Sequence, residues 1–285
     1  MRSVVVTGTS SGIGWASAKA LIDHGFRVFG SVRKQADADR LVAEFGANFV
    51  PLIFDVTREA AVQAAAVTVR AALGGETLAG LVNNAGIAVS GPALELPIAE
   101  FRHQFEVNVI GPIIVTQAFA PLLGTDPTLK GAPGRIVMIS SVAGQNGNPM
   151  TSPYCASKFA IEGFSESLRR ELMLFGIDVI VVGPGAIKTP IWDKAEASDF
   201  ARYADTPYGP VLQRLEAVMA GLQQSALPVE KVGALIRDVL TVPQPKVRYT
   251  ISPTPALVLM MKYLPKRWTD RMVAKRVGIV PLPRA

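Results

Sequence analysis

The feature that most constrains this chain is a rhythm. Short runs rich in β-branched residues recur at 3–7, 27–31, 49–55, 80–83, 135–140 and 178–183. Helix-forming patterns fill the intervals, at 13–24, 38–45, 59–73, 99–123 and 154–175. Most of the short runs are continuously apolar, as strands covered on both faces are. Gly25 and Gly176 stand where two helices should stop. Such alternation implies right-handed crossovers and a parallel sheet with helices on both sides. The expected fold is therefore α/β, a doubly wound sheet of about seven strands.

After Pro184 the rhythm breaks. Residues 185–226 mix Pro, Gly, Asp and Trp192, then carry a helical pattern at 211–224. This reads as an excursion over the carboxyl edge of the sheet, where ligands bind in such folds. A helix at 228–240 and a last strand at 247–250 follow. With no repeat and no linker, residues 1–255 read as one domain and 256–285 as a helical tail.

Composition supplies the core and narrows the partners. Of the 285 residues, 49% are hydrophobic and 18% charged, which excludes a disordered chain. The net charge of +6 is modest and gathers at 262–276, so no nucleic-acid surface is expected. Cys155 is the only cysteine, which rules out an intrachain disulfide and fits a reducing compartment such as the cytoplasm. His24 and His103 form no ligand cluster with it, so no metal site is expected. The N-terminal apolar run is too short for a signal peptide, and no stretch is expected to approach the length of a membrane span. The expectation is a soluble protein, at most attached to a membrane surface.

Thr7-Gly8-Thr9-Ser10-Ser11-Gly12-Ile13-Gly14 joins the first strand to the first helix. Glycines there let the backbone turn sharply, and the helix start offers free N–H groups to a pyrophosphate. The spacing resembles T-G-x-x-x-G-x-G, the mark of the short-chain dehydrogenase/reductase family, whose fold is of the Rossmann type. Asn83-Asn84-Ala85-Gly86 is similar to the family's N-N-A-G. Asp55-Val56 stands where the family's Asp meets adenine. Pro184-Gly185, with Ile187 and Thr189, matches the loop that holds the nicotinamide amide. The resemblance thus implies a dinucleotide held by Gly8, Ser10, Ser11, Gly12, Ile13, Gly14, Asp55, Val56, Asn84, Ala85, Gly86, Pro184, Gly185, Ile187 and Thr189.

The end of the second strand bears on which dinucleotide. An acid there would accept from a ribose 2′-hydroxyl. Val32 occupies that position, and Arg33 follows it. A guanidinium suits a 2′-phosphate, so NADP(H) is preferred over NAD(H). The plainer alternative is that Arg33 and Lys34 are solvated surface charges.

Reducing a carbonyl puts negative charge on its oxygen, and an acid must supply a proton. A free tyrosine, with a pKa near ~10, becomes a better base only beside positive charge. Tyr154 and Lys158 stand at i and i+4, on one face of a helix. Ser141, thirteen residues before Tyr154, follows the fifth strand. These three resemble the family's catalytic Ser–Tyr–Lys set, and Asn108 matches its fourth member. The resemblance implies that Tyr154 is the acid/base and that Lys158 lowers its pKa and binds ribose. Ser141 would hold the substrate oxygen, and Asn108 would help position a water beside the lysine. Ser140 is the neighbouring candidate, but Ser141 has the family spacing. Without the family, Asn108 reads equally as a kink residue satisfying its own backbone. Cys155 reads as a small core residue.

The helix from Tyr154 to Leu168 is similar in wording to the steroid and retinoid dehydrogenase branch. The excursion supplies Ile187, Ile191, Trp192, Phe200, Tyr203 and Tyr208, a lining suited to a bulky apolar alcohol or ketone. The tail joins a short apolar run at 257–261 to a basic segment around Trp268, broken at Pro265. A helix packed on the cleft or on a second subunit is the favoured reading, and an interfacial helix on an anionic membrane the other. The resemblance also implies a homodimer or homotetramer. Two rival functions remain. A sugar-nucleotide epimerase or dehydratase would usually show T-G-x-x-G-x-x-G, with one residue fewer between its first two glycines than stands between Gly8 and Gly12 here. A non-catalytic NADP sensor would have no need of Ser141, Tyr154 and Lys158.

Overall fold

A computed structural model describes residues 1–190 and 200–282. Its strands are β1 (Ser3–Val6), β2 (Arg27–Val32), β3 (Phe49–Ile53), β4 (Gly80–Asn83), β5 (Arg135–Ile139), β6 (Asp178–Pro184) and β7 (Arg248–Ile251). They form one sheet in the order β3-β2-β1-β4-β5-β6-β7, every pair parallel. The order reverses between β1 and β4, which opens a crevice at their carboxyl ends. The described helices are α1 (Gly12–Ile22), α2 (Gln35–Phe45), α3 (Glu59–Leu73), α4 (Ile98–Phe105), α5 (Gly111–Phe119) and α6 (Ser152–Glu171). Beyond β6 come α7 (Gly209–Gln224), α8 (Val229–Thr241), α9 (Pro255–Tyr263) and α10 (Lys266–Val277).

Side chains alternate across the strands, so each strand feeds two cores. Val4, Val6, Val28, Val82 and Ile180 pack with Leu21 of α1, Leu41 of α2 and Ile236 of α8. Val5, Phe29, Leu81, Ile136 and Val181 pack with Val69 of α3, Phe119 of α5 and Ile161 of α6. Each such side chain contributes roughly 1.5–3 kcal/mol, which is why the core-facing positions of the central strands are mostly apolar.

Two departures from the sequence expectation have local causes. The helix expected at 99–123 is three pieces: α4, a π-turn at Glu106–Ile110, and α5 with its 3₁₀ end at Ala120–Leu123. Pro112 has no N–H to give the carbonyl of Asn108, so the helix widens there. The whole stretch Ile98–Leu123, 26 residues, is long and apolar enough to cross a membrane, contrary to the expectation that no stretch was. More than half of it is buried inside the fold, with Val115, Phe119, Leu122 and Leu123 in the core, while Ile98 and Ile110 stay exposed.

The excursion contributes a third, smaller cluster of Met150, Phe200, Tyr203 and Leu212, with Tyr208 and Val211 against it. Ile191 and Trp192 lie outside the described residues. In the tail, Pro265 separates α9 from α10, as its missing N–H demands. Helix α10 packs on α7 and buries Thr269 and Val277. Leu259, Tyr263, Trp268 and Val280 stay exposed.

Candidate active site

The loops after β1 and β4, which flank the crevice, are stapled together. The Thr7 hydroxyl accepts from the backbone N–H groups of Asn84 (2.9 Å) and Ala85 (3.0 Å). The Asn84 amide donates to the carbonyls of Thr7 (2.8 Å) and Gly8 (3.1 Å). Gly8 takes a φ of 70°, open to glycine at little cost. A Cβ on Gly14 would stand 2.1 Å from the Gly8 carbonyl oxygen, so α1 can begin against the turn only with glycine there. Ser11 caps α1 without a side-chain hydrogen bond, and no acid stands in the first turn. The N–H groups beside Gly12 and Ile13 are thus left facing the crevice mouth without a side-chain acceptor.

Other expected cofactor residues arrive at the same rim. The carbonyl of Ser10 is held by Arg40 (2.6 Å). The Gly8 N–H donates to the Ser31 hydroxyl (2.9 Å), tying the turn to the end of β2. Arg33 lies just beyond, exposed, with no hydrogen bond among the described residues. Burial works against ionising Asp55, but hydrogen bonds from the Thr57 backbone and hydroxyl prevail, helped by the charges of Arg33 and Arg58, and its pKa is lowered. Gly86 faces Asn108, and Thr189 faces Gly12 across the crevice. Gly185 donates to the Ile251 carbonyl at 2.8 Å. Val56 and Ile187 have side chains buried in the core, so toward a ligand they offer backbone only.

Ser141, Tyr154 and Lys158 converge at the end of β5. The Ser141 hydroxyl donates to the Pro184 carbonyl (3.3 Å) and accepts from the Ala143 N–H (3.1 Å). Tyr154, in the first turn of α6, is half-buried. Burial raises its phenol pKa, hydrogen bonding with the Ser141 side chain works the other way, and Cys155 adds to the rise. Lys158 is buried, donates to the Ile139 carbonyl (2.8 Å), and holds its ammonium 5.7 Å from the centre of the Tyr154 ring. Burial lowers its pKa to about 8, against the opposing pull of Glu162. Ser140 turns away, its hydroxyl buried without a partner among the described residues. Cys155 is buried against Asn148 and Thr151.

The π-turn positions Asn108. Its amide accepts from the Ile87 N–H (2.9 Å) and donates to the Ile87 carbonyl (3.0 Å) and the Ser157 hydroxyl (3.2 Å). It therefore satisfies the loop after β4 rather than its own helix. Two residues with no expected role share this network. Gln104 accepts from Val89 (2.7 Å) and donates to Ile87 (3.0 Å) and Ser157 (3.4 Å). Ser157 donates to the Tyr154 carbonyl at 2.7 Å. Both are fully buried, and together they lock the start of α6 to the π-turn. The one sequence signal was Gln104 and Asn108 at i and i+4 in an apolar stretch. The loop from Ser141 to Tyr154 also contains Met150 at a φ of 63°, a region that costs a non-glycine residue roughly 1–3 kcal/mol. It is held there by the Gly91 N–H on its carbonyl (2.7 Å) and by its side chain in the third cluster.

Comparison with known proteins agrees with this geometry. Residues 2–199 match the family model described as short chain dehydrogenase. The NADPH-dependent 3-dehydrocapnine reductase of Ornithobacterium rhinotracheale is 40% identical over 276 residues, 96% of this chain and 97% of that protein. Retinol dehydrogenase 5 of Mus musculus is 32% identical over 298 residues, covering 98% and 89%. The crystal structure of a short-chain dehydrogenase from Streptomyces avermitilis is similar with a TM-score of 0.74 at 28% identity, over 97% of this chain and 95% of that one. A parallel sheet reversing at β1 and β4, a glycine turn on that reversal and a matching family model over most of the chain have one reading: this protein belongs to the short-chain dehydrogenase/reductase family and is an oxidoreductase acting on CH–OH groups.

Proposed function

We propose that the protein uses NADP(H) to interconvert a bulky apolar alcohol and its ketone or aldehyde. The observation that carries this reading is the convergence of Ser141, Tyr154 and buried Lys158 beside the Gly8–Gly14 turn. That turn fits a dinucleotide: it has no Cβ at Gly14, an uncapped helix start, and no acid in the first turn of α1. When bound, the nicotinamide supplies or accepts the hydride. The chain's own groups do the rest. Tyr154 would give its hydroxyl hydrogen to the carbonyl oxygen, where negative charge develops, joined by Ser141 once its hydroxyl turns from the Pro184 carbonyl. Tyr154 keeps its proton at neutral pH because burial raises its pKa, and so is ready as the acid. Lys158, charged below about pH 8, would stabilise the phenolate that remains and would help hold a ribose hydroxyl of the bound dinucleotide. Asn108, Gln104 and Ser157 hold the start of α6 in register.

The NADP(H) preference rests on Arg33, free at the end of β2 with Val32 where an acid would sit, and on the NADPH dependence of the relative named above. One charge-assisted contact of about 1.5–3 kcal/mol corresponds to roughly ten- to a hundredfold. NADPH is expected to bind more tightly than NADH by that factor, and Arg33→Ala to remove most of the difference. Fluorescence titration of both cofactors is the check, and clearly tighter NADH binding would overturn the preference. The apolar substrate class is supported by the cluster of Met150, Phe200, Tyr203 and Leu212 and by the kinship with retinol dehydrogenase 5. Screening ketones, aldehydes and alcohols by nicotinamide absorbance tests it.

The packed reading of the tail is supported by Thr269 and Val277 buried on α7. Its outer face offers Trp268 and Met272 one turn apart, flanked by Arg267, Arg271, Lys275 and Arg276. None of these bases forms an ion pair among the described residues. Contact with an anionic membrane suits that face, at about 1 kcal/mol per basic residue near the surface. The protein should co-sediment with phosphatidylserine-containing vesicles and not with phosphatidylcholine alone. Substituting Glu at Arg267 and Arg271 should release it, and equal sedimentation of parent and variant would sink the idea.

A further inference from the structure

We infer that Arg248 is a positioning residue for the catalytic cluster: it engages the Glu162 carboxylate so that Lys158 stays on Tyr154, and it holds the backbone of Ser141. The inference rests on the reading of Ser141, Tyr154 and Lys158 given above. Glu162 follows Lys158 by four residues on α6, the spacing at which a Lys–Glu pair ordinarily closes. Here it does not close. The Lys158 ammonium goes to the Ile139 carbonyl, and Glu162 goes to Arg248, which reaches it from β7 through Nε (3.1 Å) and Nη2 (3.0 Å). The same Nη2 donates to the Ser141 carbonyl at 3.4 Å, and Nη1 donates to the Thr250 hydroxyl.

The path of the guanidinium is cleared by Gly183 on β6. A Cβ there would stand 2.4 Å from Nη2 and 3.0 Å from Cζ, so any side chain would push the arginine aside. Both charges are largely buried, at 18% and 17% side-chain exposure. A buried ion pair is weak evidence for stability, since an apolar pair of the same shape does as well or better. Stability therefore does not account for it, whereas position does. One fork spans β7, α6 and the loop after β5, the elements that carry Ser141, Tyr154 and Lys158. The titratable group shown to interact with the pair is Lys158, one turn before Glu162 on α6. The loop after β5 and β6 face it with Ser141 and Gly183, which do not titrate. With Arg248 absent, the Glu162 carboxylate is left unpaired to act on Lys158, whose pKa it already pulls upward.

The test follows Lys158 directly by NMR of protein labelled at lysine Cε, with no substrate needed. In the parent Lys158 titrates at about 8. In Arg248→Met the unpaired carboxylate favours the charged ammonium, and the titration should rise by roughly one pH unit. In the double variant Arg248→Met, Glu162→Gln it should return to the parent value or below. Arg248→Lys, which keeps a cation, should leave it near the parent. An unchanged Lys158 titration in Arg248→Met, or no return in the double variant, overturns the inference. Should Arg248→Met fail to fold, Glu162→Gln alone decides: Lys158 must then titrate lower than in the parent, and an unchanged value overturns the inference equally. The parent reading stands or falls separately, on turnover by the Tyr154→Phe variant.

Discussion

Tyr154→Phe is expected to lose turnover while keeping its fold and its cofactor. The substitution deletes one oxygen and leaves the ring over Lys158, whose ammonium lies 5.7 Å from its centre. The packing of α6 is untouched, because the network of Ser157, Gln104 and Asn108 holds the Tyr154 backbone and not its phenol. Stability should change little, since the lost hydroxyl was already desolvated. What disappears is the proton donor to the carbonyl oxygen, an effect of about 10²–10⁴-fold in kcat. Nicotinamide absorbance measures the rate, and fluorescence titration measures the cofactor Kd. Turnover at the parent rate would refute the mechanism, and a non-catalytic sensor would show no parent turnover to lose. The parent carries a linked pH dependence. Burial lowers the Lys158 pKa to about 8, so the ammonium is present below that pH and is lost above it. Carbonyl reduction should accordingly hold at neutral pH and fall as pH rises through about 8.

Gly14→Ala should have the largest effect on cofactor binding. The new methyl would lie 2.1 Å from the Gly8 carbonyl oxygen and 2.5 Å from the Asn84 amide nitrogen. Neither neighbour can yield cheaply. The Gly8 carbonyl is backbone in a turn fixed to Ser31, and the Asn84 amide is bonded to both Thr7 and Gly8. Either α1 slides away from the turn or the staple between the β1 and β4 loops breaks. Overpacking of this kind costs about 1–3 kcal/mol, or a few degrees in Tm. The geometry of the phosphate-binding N–H groups is lost with it, and cofactor affinity should drop by about a hundredfold or more. Ser11→Ala, at an exposed cap whose side chain bonds nothing, is the control and should leave Tm unchanged. An alanine at position 14 with parent Kd and Tm would show that the turn is not the cofactor seat.

Local periodicity made most of the fold legible. The seven strands fall within a residue or two of the expected runs, because a strand buried on both faces needs unbroken apolar residues such as Val4-Val5-Val6. The glycine turn and the Tyr154–Lys158 spacing were legible for the same reason, since each is a short-range pattern with a fixed geometry. The π-turn was hidden, although Pro112 was its cause, because an apolar helix reads as continuous through a one-residue widening. Gln104 and Ser157 looked like ordinary helix residues, and only their meeting across the gap between α4 and α6 gives them a shared task.

The sequence alone therefore determined the alternating parallel architecture, the glycine turn at the first crossover, and the helix face shared by Tyr154 and Lys158. These depend on periods of two and 3.6 residues and on glycine geometry, which are written within a few neighbouring positions. Tertiary structure alone decided that Gln104 and Asn108 meet Ser157, and that Lys158 bonds Ile139 rather than Glu162. It alone brought Arg248 from the last strand, past Gly183, to the carboxylate four residues beyond the lysine. Hydrophobic pattern states which face of an element is buried. It does not state which atoms that face will meet, and the charge states of a buried site follow from those meetings.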